Sequence, residues 1–242
     1  MLYLYAVLEA GPRAAGRAGG GRARAVGGDG MDGEPLALVR EGAVLAVAGV
    51  VDRAPGASTA ALRGHDEVVR RLAESARAIL PARFGTVLED ESALRRTLAL
   101  RQVDLRDALR AVAGCAQMTL RVFGPPVGAG VAASPALRAA RPPAAPATGT
   151  GYLLARAHAR HREGAPDVVA RLHALLEPFV HGERTERHAR PPLVASVHHL
   201  VLRHQVAAYR RALAGAADDL RPWRLTATGP WAPYAFAPEA VA

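Results

Sequence analysis

Histidine is the residue type in this chain best equipped for chemistry. Eight of the nine lie after residue 150: His158, His161, His173, His181, His188, His198, His199 and His204. His158 and His161 stand three apart, a spacing that puts two imidazoles on one helix face, where they can hold a metal. Apart from Glu163, that segment offers no carboxylate at a useful spacing. His198 and His199 are neighbours in a strand-like stretch, so they point to opposite faces and cannot ligate one ion. Surface or partly packed histidines are therefore expected, with no metal and no cofactor.

Other chemistries are closed by composition. The chain has no Lys, so no phosphate loop ending in Gly-Lys-Ser/Thr can form and no Lys amine can make a Schiff base. None of Ser58, Ser75, Ser92, Ser134 and Ser196 lies in a Gly-x-Ser-x-Gly frame. Gly149–Leu154 (GTGYLL) lacks the third glycine of a dinucleotide turn and follows a Pro-rich stretch rather than a strand. A single Cys excludes an internal disulfide and any Cys-rich metal site, which fits a reducing cytoplasm. All 31 basic residues are Arg, Asn is absent and Ile occurs once, at Ile79, a bias typical of GC-rich coding. The net charge of +9 is then weak evidence for nucleic acid, because a binding patch needs clustering as well as a total.

The elements that must position any site follow from periodicity. The 242 residues, 50% hydrophobic, can bury a real core in one large or two modest domains. Met1–Leu8 reads as a buried strand, and its short apolar run lacks the basic start of a signal peptide. Residues 11–33 carry Gly, Ala and Arg with little to bury, and are expected to form a mobile loop. Leu36–Arg40 and Val44–Val51 read as a hairpin turning at Glu41-Gly42. Gly64–Leu80 reads as a helix with Val68, Val69, Leu72, Ala76, Ile79 and Leu80 on one face, stopped by Pro81. An extended piece at Phe84–Leu88 precedes a helix opened by Glu89-Asp90-Glu91. A further helix carries Leu105, Leu109 and Val112 and ends at Gly114.

Gln117–Phe123 alternates, with Met118, Leu120 and Val122 inward and Gln117, Thr119 and Arg121 outward. Residues 124–148 are Pro- and Ala-rich and read as an insertion or linker. Helices are expected over Gly151–Arg162 and Pro166–Val180, a strand over Leu193–Val201, a helix over Arg203–Leu213 and a strand over Trp223–Thr228. No run is long enough to cross a bilayer. The predicted class is α+β, with helices on one face of the C-terminal sheet.

Two stretches are unusual in composition. LPARFGT, Leu80–Thr86, joins Leu80 and Pro81 to Arg83, Phe84, Gly85 and Thr86. Phe84 is expected in the core, and Gly85 where the backbone needs uncommon dihedrals. TGPWAPYAF, Thr228–Phe236, ends a strand at Gly229-Pro230 and gathers Trp231, Pro233, Tyr234 and Phe236 into a rigid tail. So much aromatic area must dock on its own fold or on a partner, with the chain's own fold the expected site.

These stretches, with MLYLYAVL at the start, HDEVVRRLAESARAILPARFGT at His65–Thr86, GTGYLLAR at Gly149–Arg156 and RPWRLTATGPWAPYAF at Arg221–Phe236, resemble the GvpL/GvpF family of gas vesicle proteins. The resemblance spans nearly the whole chain. Departures are Gln117 where members often carry Glu, Ser196–His199 in place of an aromatic-aliphatic patch, and Ala232 where a second Pro is frequent.

The resemblance implies two α+β domains, residues 1–115 and 116–242, the second ferredoxin-like with the insertion 124–148 and the tail 229–242. It also implies a non-enzymatic accessory protein of gas vesicle formation. The partners implied are the hydrophobic shell protein and other gas vesicle accessory proteins, met in the cytoplasm at the vesicle, with no nucleic acid and no membrane. Candidate partner-surface residues are Leu80, Pro81, Arg83, Phe84, Gly85 and Thr86, then Gly151 and Tyr152, and in the tail Gly229, Pro230, Trp231, Pro233, Tyr234 and Phe236. The rival reading is a small RNA-binding module on a ferredoxin-like sheet. It requires paired aromatics on the open sheet face, where this sequence puts Thr119 and Arg121.

Overall fold

Strand β1 (Leu2–Glu9) is apolar or aromatic at nearly every position, the pattern of a strand covered on both faces. The computed structural model describes residues 1–10, 28–124, 168–190, 192–216 and 219–238. In it β1 is the centre of a sheet with β2 (Leu36–Glu41), β3 (Val44–Val50), β4 (Ile79–Pro81) and β5 (Val87–Leu88). The order is β2-β3-β1-β4, with β5 also pairing β1, and the pairs are antiparallel. The register against β3 slips between Leu4 and Ala6, so one residue of β1 is extra at that point. Leu2, Leu4 and Val7 consequently serve one core, and Tyr3, Tyr5 and Ala6 the other.

Each face has its own helix layer. Helix α1 (Thr59–Ser75) places Val68, Val69 and Leu72 against Tyr3, Tyr5 and Ile79. Helices α2 (Glu91–Leu100) and α3 (Gln102–Val112) place Leu94, Leu98, Leu105 and Leu109 against Leu4, Val7 and Leu80 on the opposite face. Asp90 caps α2 by accepting the Ala93 N–H at 2.7 Å, and its charge complements the helix dipole.

Two expectations need correction here. Helix α1 begins five residues earlier than its apolar stripe suggests, capped by Ser58, and ends at Ser75 rather than running to Leu80. Ile79, Leu80 and Pro81 form β4, pairing with Leu8, Val7 and Ala6, so Pro81 is an edge-strand residue and not the helix stop. Sheet pairing with the central strand overrides a helical spacing that Ala76, Ile79 and Leu80 share by coincidence.

The second sheet has the order β7-β8-β6-β9, from β6 (Cys115–Phe123), β7 (Val180–Arg187), β8 (Leu193–Leu202) and β9 (Arg224–Trp231). Helix α4 (residues 168–176) precedes β7, and α5 (Val206–Ala216) lies between β8 and β9. That succession and strand order are compatible with the ferredoxin-like arrangement. Met118, Leu120, Val122, Val197, Leu172 and Tyr209 are buried on the helix side. Strand β7 carried no sequence signal: its eight residues are mostly exposed and half of them are charged, so no apolar alternation shows.

The chain divides into two compact units. One is Met1–Gln117 with Leu200–Arg203 and Gly229–Ala242; the other is Met118–His199 with His204–Thr228. The chain after Thr228, grouped with the C-terminal half in the sequence reading, thus joins the N-terminal unit. The chain is α+β with antiparallel pairing in its first sheet. The expectations for most of residues 11–33, for 125–148, for the helix at 151–162, and for His158, His161, Gly151 and Tyr152 lie outside the described residues.

Candidate partner-binding surface and its supporting motifs

The Leu80–Thr86 motif is held by a buried polar relay. The His65 Nε2–H donates to the Ala82 carbonyl at 3.1 Å, since a carbonyl can only accept. His65 Nδ1 therefore accepts the Tyr3 hydroxyl at 2.8 Å, and the Tyr3 oxygen accepts the Gly85 N–H at 3.2 Å. Burial holds the His65 imidazole below its ordinary range, and it is neutral in this arrangement. Phe84 meets Tyr3 and His65 edge-on, at centroid distances of 6.3 and 5.9 Å. Gly85 has φ +90°, which an L side chain adopts only with strain. Leu80 and Pro81 are buried, Phe84 is half-buried, and Arg83 and Gly85 are exposed. The Thr86 hydroxyl donates to the Arg83 carbonyl at 2.8 Å, and the Thr86 carbonyl accepts from Leu4 N–H at 2.9 Å. Most of the motif is thus committed to the fold, leaving Arg83 to face solvent.

Tyr5 is anchored in the same layer. Its hydroxyl donates to Glu34 Oε1 at 2.5 Å and accepts the Met31 N–H at 2.9 Å. Burial, then the Glu34 carboxylate, pushes the Tyr5 phenol well above its usual range. Tyr3, Tyr5 and His65 were not singled out in the sequence. Two phenols inside a fully buried strand are the signal that points to them, because each hydroxyl must find a partner.

The aromatic tail divides by role. Strand β9 continues through Gly229-Pro230 to Trp231 rather than ending there, and at Gly229, within the strand, φ is +112°, a conformation that favours glycine. Tyr234 and Ala232 pack on the α1 side of the first sheet and Phe236 on the α2–α3 side, so the turn Tyr234–Phe236 wraps the β4 edge. Burial and the Asp66 carboxylate, to which its hydroxyl bonds, raise the Tyr234 phenol. Gln117, expected on the exposed side of its strand, is buried and accepts the Ala235 N–H at 2.8 Å. Pro233 is buried, whereas Pro230 is exposed and Trp231 is 43% exposed. The tail therefore docks on its own fold through Pro233, Tyr234 and Phe236, and presents Trp231.

Strand β9, which leads into that tail, is one of the two outer strands of the second sheet. Arg224 is its only charged residue, and Thr226, Ala227 and Thr228 are exposed. The opposite outer strand, β7, carries Glu183, Arg184, Glu186 and Arg187. Charges on an edge discourage strand addition, so the two edges differ in what they admit. The helix-free face between them is polar: Thr119 and His198 bond at 3.1 Å, and His188 and Ser196 at 2.9 Å. Phe123 also lies on this face, and the Arg224 guanidinium sits 5.2 Å above its ring.

His198 and His199 point to opposite faces, as their adjacency requires. His199 is buried among the helices and reaches Tyr209 and Glu183. Among the described residues, no group of three or more His, Cys, Asp or Glu is placed to hold a metal ion. None of the described helices is long and apolar enough to cross a membrane.

Residues 1–238 match the family described as "Gas vesicle synthesis protein GvpL/GvpF". A gas vesicle protein L from a Streptomyces species is 31% identical over 236 residues, covering 87% of this chain and 86% of that protein. The crystal structure of gas vesicle protein GvpF from Microcystis aeruginosa superposes with a TM-score of 0.74 at 16% identity, covering 98% of both chains. That of GvpF from Anabaena sp. gives 0.72 at 15% identity, over 98% of this chain and 95% of the other. Those two likenesses speak for the fold, and the match along the chain speaks for kinship. The chain belongs to the GvpL/GvpF family of gas vesicle synthesis proteins.

Proposed function

We propose that this chain is a non-catalytic assembly factor that takes up the hydrophobic gas vesicle shell protein along its β9 edge. A gas-filled shell needs subunits that repel water on one side, and free subunits of that kind expose apolar surface and strand edges prone to premature association. A transient partner lowers the concentration of free subunit and favours ordered growth. The observation that carries the reading is the contrast between the two outer strands of the second sheet. Strand β7 is studded with charge, while β9 beyond Arg224 presents Thr, Ala, Gly and Pro and ends in the exposed Trp231. An added strand gains main-chain hydrogen bonds there, and Trp231 supplies an apolar anchor. Pro230 has no N–H to offer and Gly229 already has a partner, which confines pairing to residues 225–228. Family membership supports the choice of the shell protein, and of other gas vesicle accessory proteins, as partners.

Co-purification of shell protein with this chain tests the reading. The double variant Thr226→Lys/Thr228→Lys charges the β9 edge, and Trp231→Ala removes the anchor without touching Tyr234 or Phe236. Each is expected to weaken capture by about tenfold or more, as loss of a central aromatic contact does. The matched change Arg184→Lys on β7 is expected to leave capture unchanged. Full capture by folded forms of both β9 variants sinks the proposal.

A further inference from the structure

Strand β7 is an outer strand whose own side chains bury little, so something other than apolar packing must hold it against β8. Within the second unit, four side chains from four elements meet beneath it. Glu183 of β7 takes His199 of β8 on Oε2 at 3.2 Å and His173 of α4 on the same oxygen at 2.9 Å. Tyr209 of α5 is 2.9 Å from His199 Nδ1. The Thr185 hydroxyl donates to Glu183 Oε1 at 3.0 Å, so both carboxylate oxygens are engaged. His199 is 0% exposed, His173 lies at the surface, and Phe179 packs edge-on against Tyr209 at 6.5 Å.

The donors can be assigned. A carboxylate only accepts, so Nε2–H of His199 donates to Glu183 and Nδ1 accepts the Tyr209 O–H. This arrangement is complete only with a neutral ring. A second proton, on Nδ1, would face the Tyr209 hydroxyl, which would have to rotate and give up the acceptor for its own hydrogen. It would also put a full charge in a site without water contact, beside a carboxylate already shared with His173.

We propose that the Tyr209–His199–Glu183 relay is an acid-sensitive latch on β7, and that protonating His199 frees this charged strand and uncovers the β8 edge. The groups facing His199 are Glu183 from β7, Tyr209 from α5 and His173 from α4, while His198, on the opposite face of its own strand, acts only through its charge. Glu183 favours the charged ring and the two histidines oppose it, while burial, the largest influence, keeps the imidazole below its ordinary range. His173 is pulled the other way: its bond to Glu183 raises it, so it charges first and leaves the buried ring to decide the opening. What β7 protects is apolar, since β8 reads LVASVHHLVL. Opening therefore exchanges a guarded edge for a receptive one.

Hydrogen exchange of the full chain, corrected for the intrinsic pH dependence of exchange, tests this between about pH 7.5 and pH 5.5. Amides of residues 180–187 are expected to lose protection by up to about tenfold over that range, the limit for uptake of one proton by a ring whose unfolded-state value is about 6.5. The buried amides of β6 should hold. His199→Gln keeps a donor for Glu183 and an acceptor for Tyr209 but cannot charge, so its β7 protection should be flat with pH. His198→Gln should behave as the unaltered chain. If His199→Gln does not fold, ring-proton NMR of the unaltered chain decides: the opening must share its midpoint with His199 and not with His173. Protection of β7 that is constant or rises on acidification overturns the latch. So does an acid-induced opening that persists in folded His199→Gln.

Discussion

Both ring nitrogens of His65 are committed to the fold, one to the Ala82 carbonyl and one to the Tyr3 hydroxyl. Removing that hydroxyl leaves His65 Nδ1 without its partner in a buried site, and the exposed Gly85 without its bond to the ring oxygen. Tyr3→Phe is therefore expected to cost about 1–3 kcal/mol, measured by urea denaturation at neutral pH. The same ring sets a pH dependence. Burial lowers its affinity for protons in the folded state, so below about pH 6.5 the unfolded chain binds more protons than the folded one. The stabilisation is complete above that pH and is lost as pH falls through the folded value. The urea midpoint should decline on acidification from neutral pH, and His65→Gln, which can bond both partners without titrating, should show a shallower decline. An equal decline in both chains would mean that other groups carry the effect.

Among the elements, the helix ends were set locally and the short strands were not. Ser58 accepts the Ala61 N–H at 3.1 Å and Asp90 accepts the Ala93 N–H at 2.7 Å, which makes each helix start a property of its own residues. Asp90→Ala is expected to cost about 1 kcal/mol, and Ser58→Ala about the same or less, by thermal denaturation. The signal for α1 was therefore present at Ser58, just after Pro55-Gly56, and the apolar stripe alone concealed it. No comparable signal existed for β4. Three residues cannot display a period, and Ile79 and Leu80 fall on the helix stripe until β1 claims them by hydrogen bonding. For β7 the obstacle was the edge itself, since an exposed strand guarded by charge shows no alternation.

At the scale of the molecule, the residues from Gly229 on close the first unit instead of extending the second. Tyr234 and Phe236 join its two cores from either side of the sheet, and the Ala235 N–H is held by Gln117. The pair Tyr234→Ala and Phe236→Ala is therefore expected to loosen β1 and β4 while sparing α4 and α5. Half-buried rings imply a loss of about 2 kcal/mol, somewhat below the cost of a fully buried aromatic, with hydrogen exchange to show where it falls. Unchanged protection of β4 would mean that the tail does not brace it. Trp231, by contrast, is available for change without that penalty, which is what suits it to report on a partner.

The amino-acid order alone settled most of what repeats or caps within a few residues, the Ser58 start of α1 excepted. That covers the buried β1, the hairpin of β2 and β3, helix α3 with its stop at Gly114, strands β6 and β8, and a set of motifs particular enough to reveal kinship. The tertiary structure decided which distant groups meet. Tyr3 finds His65 across 62 positions, and Gln117 finds Ala235 across 118. His199 finds Glu183 only because β7 lies beside β8. The physical reason is that periodicity reports whether a side chain is buried, whereas the partner of a buried polar atom is fixed by chain topology.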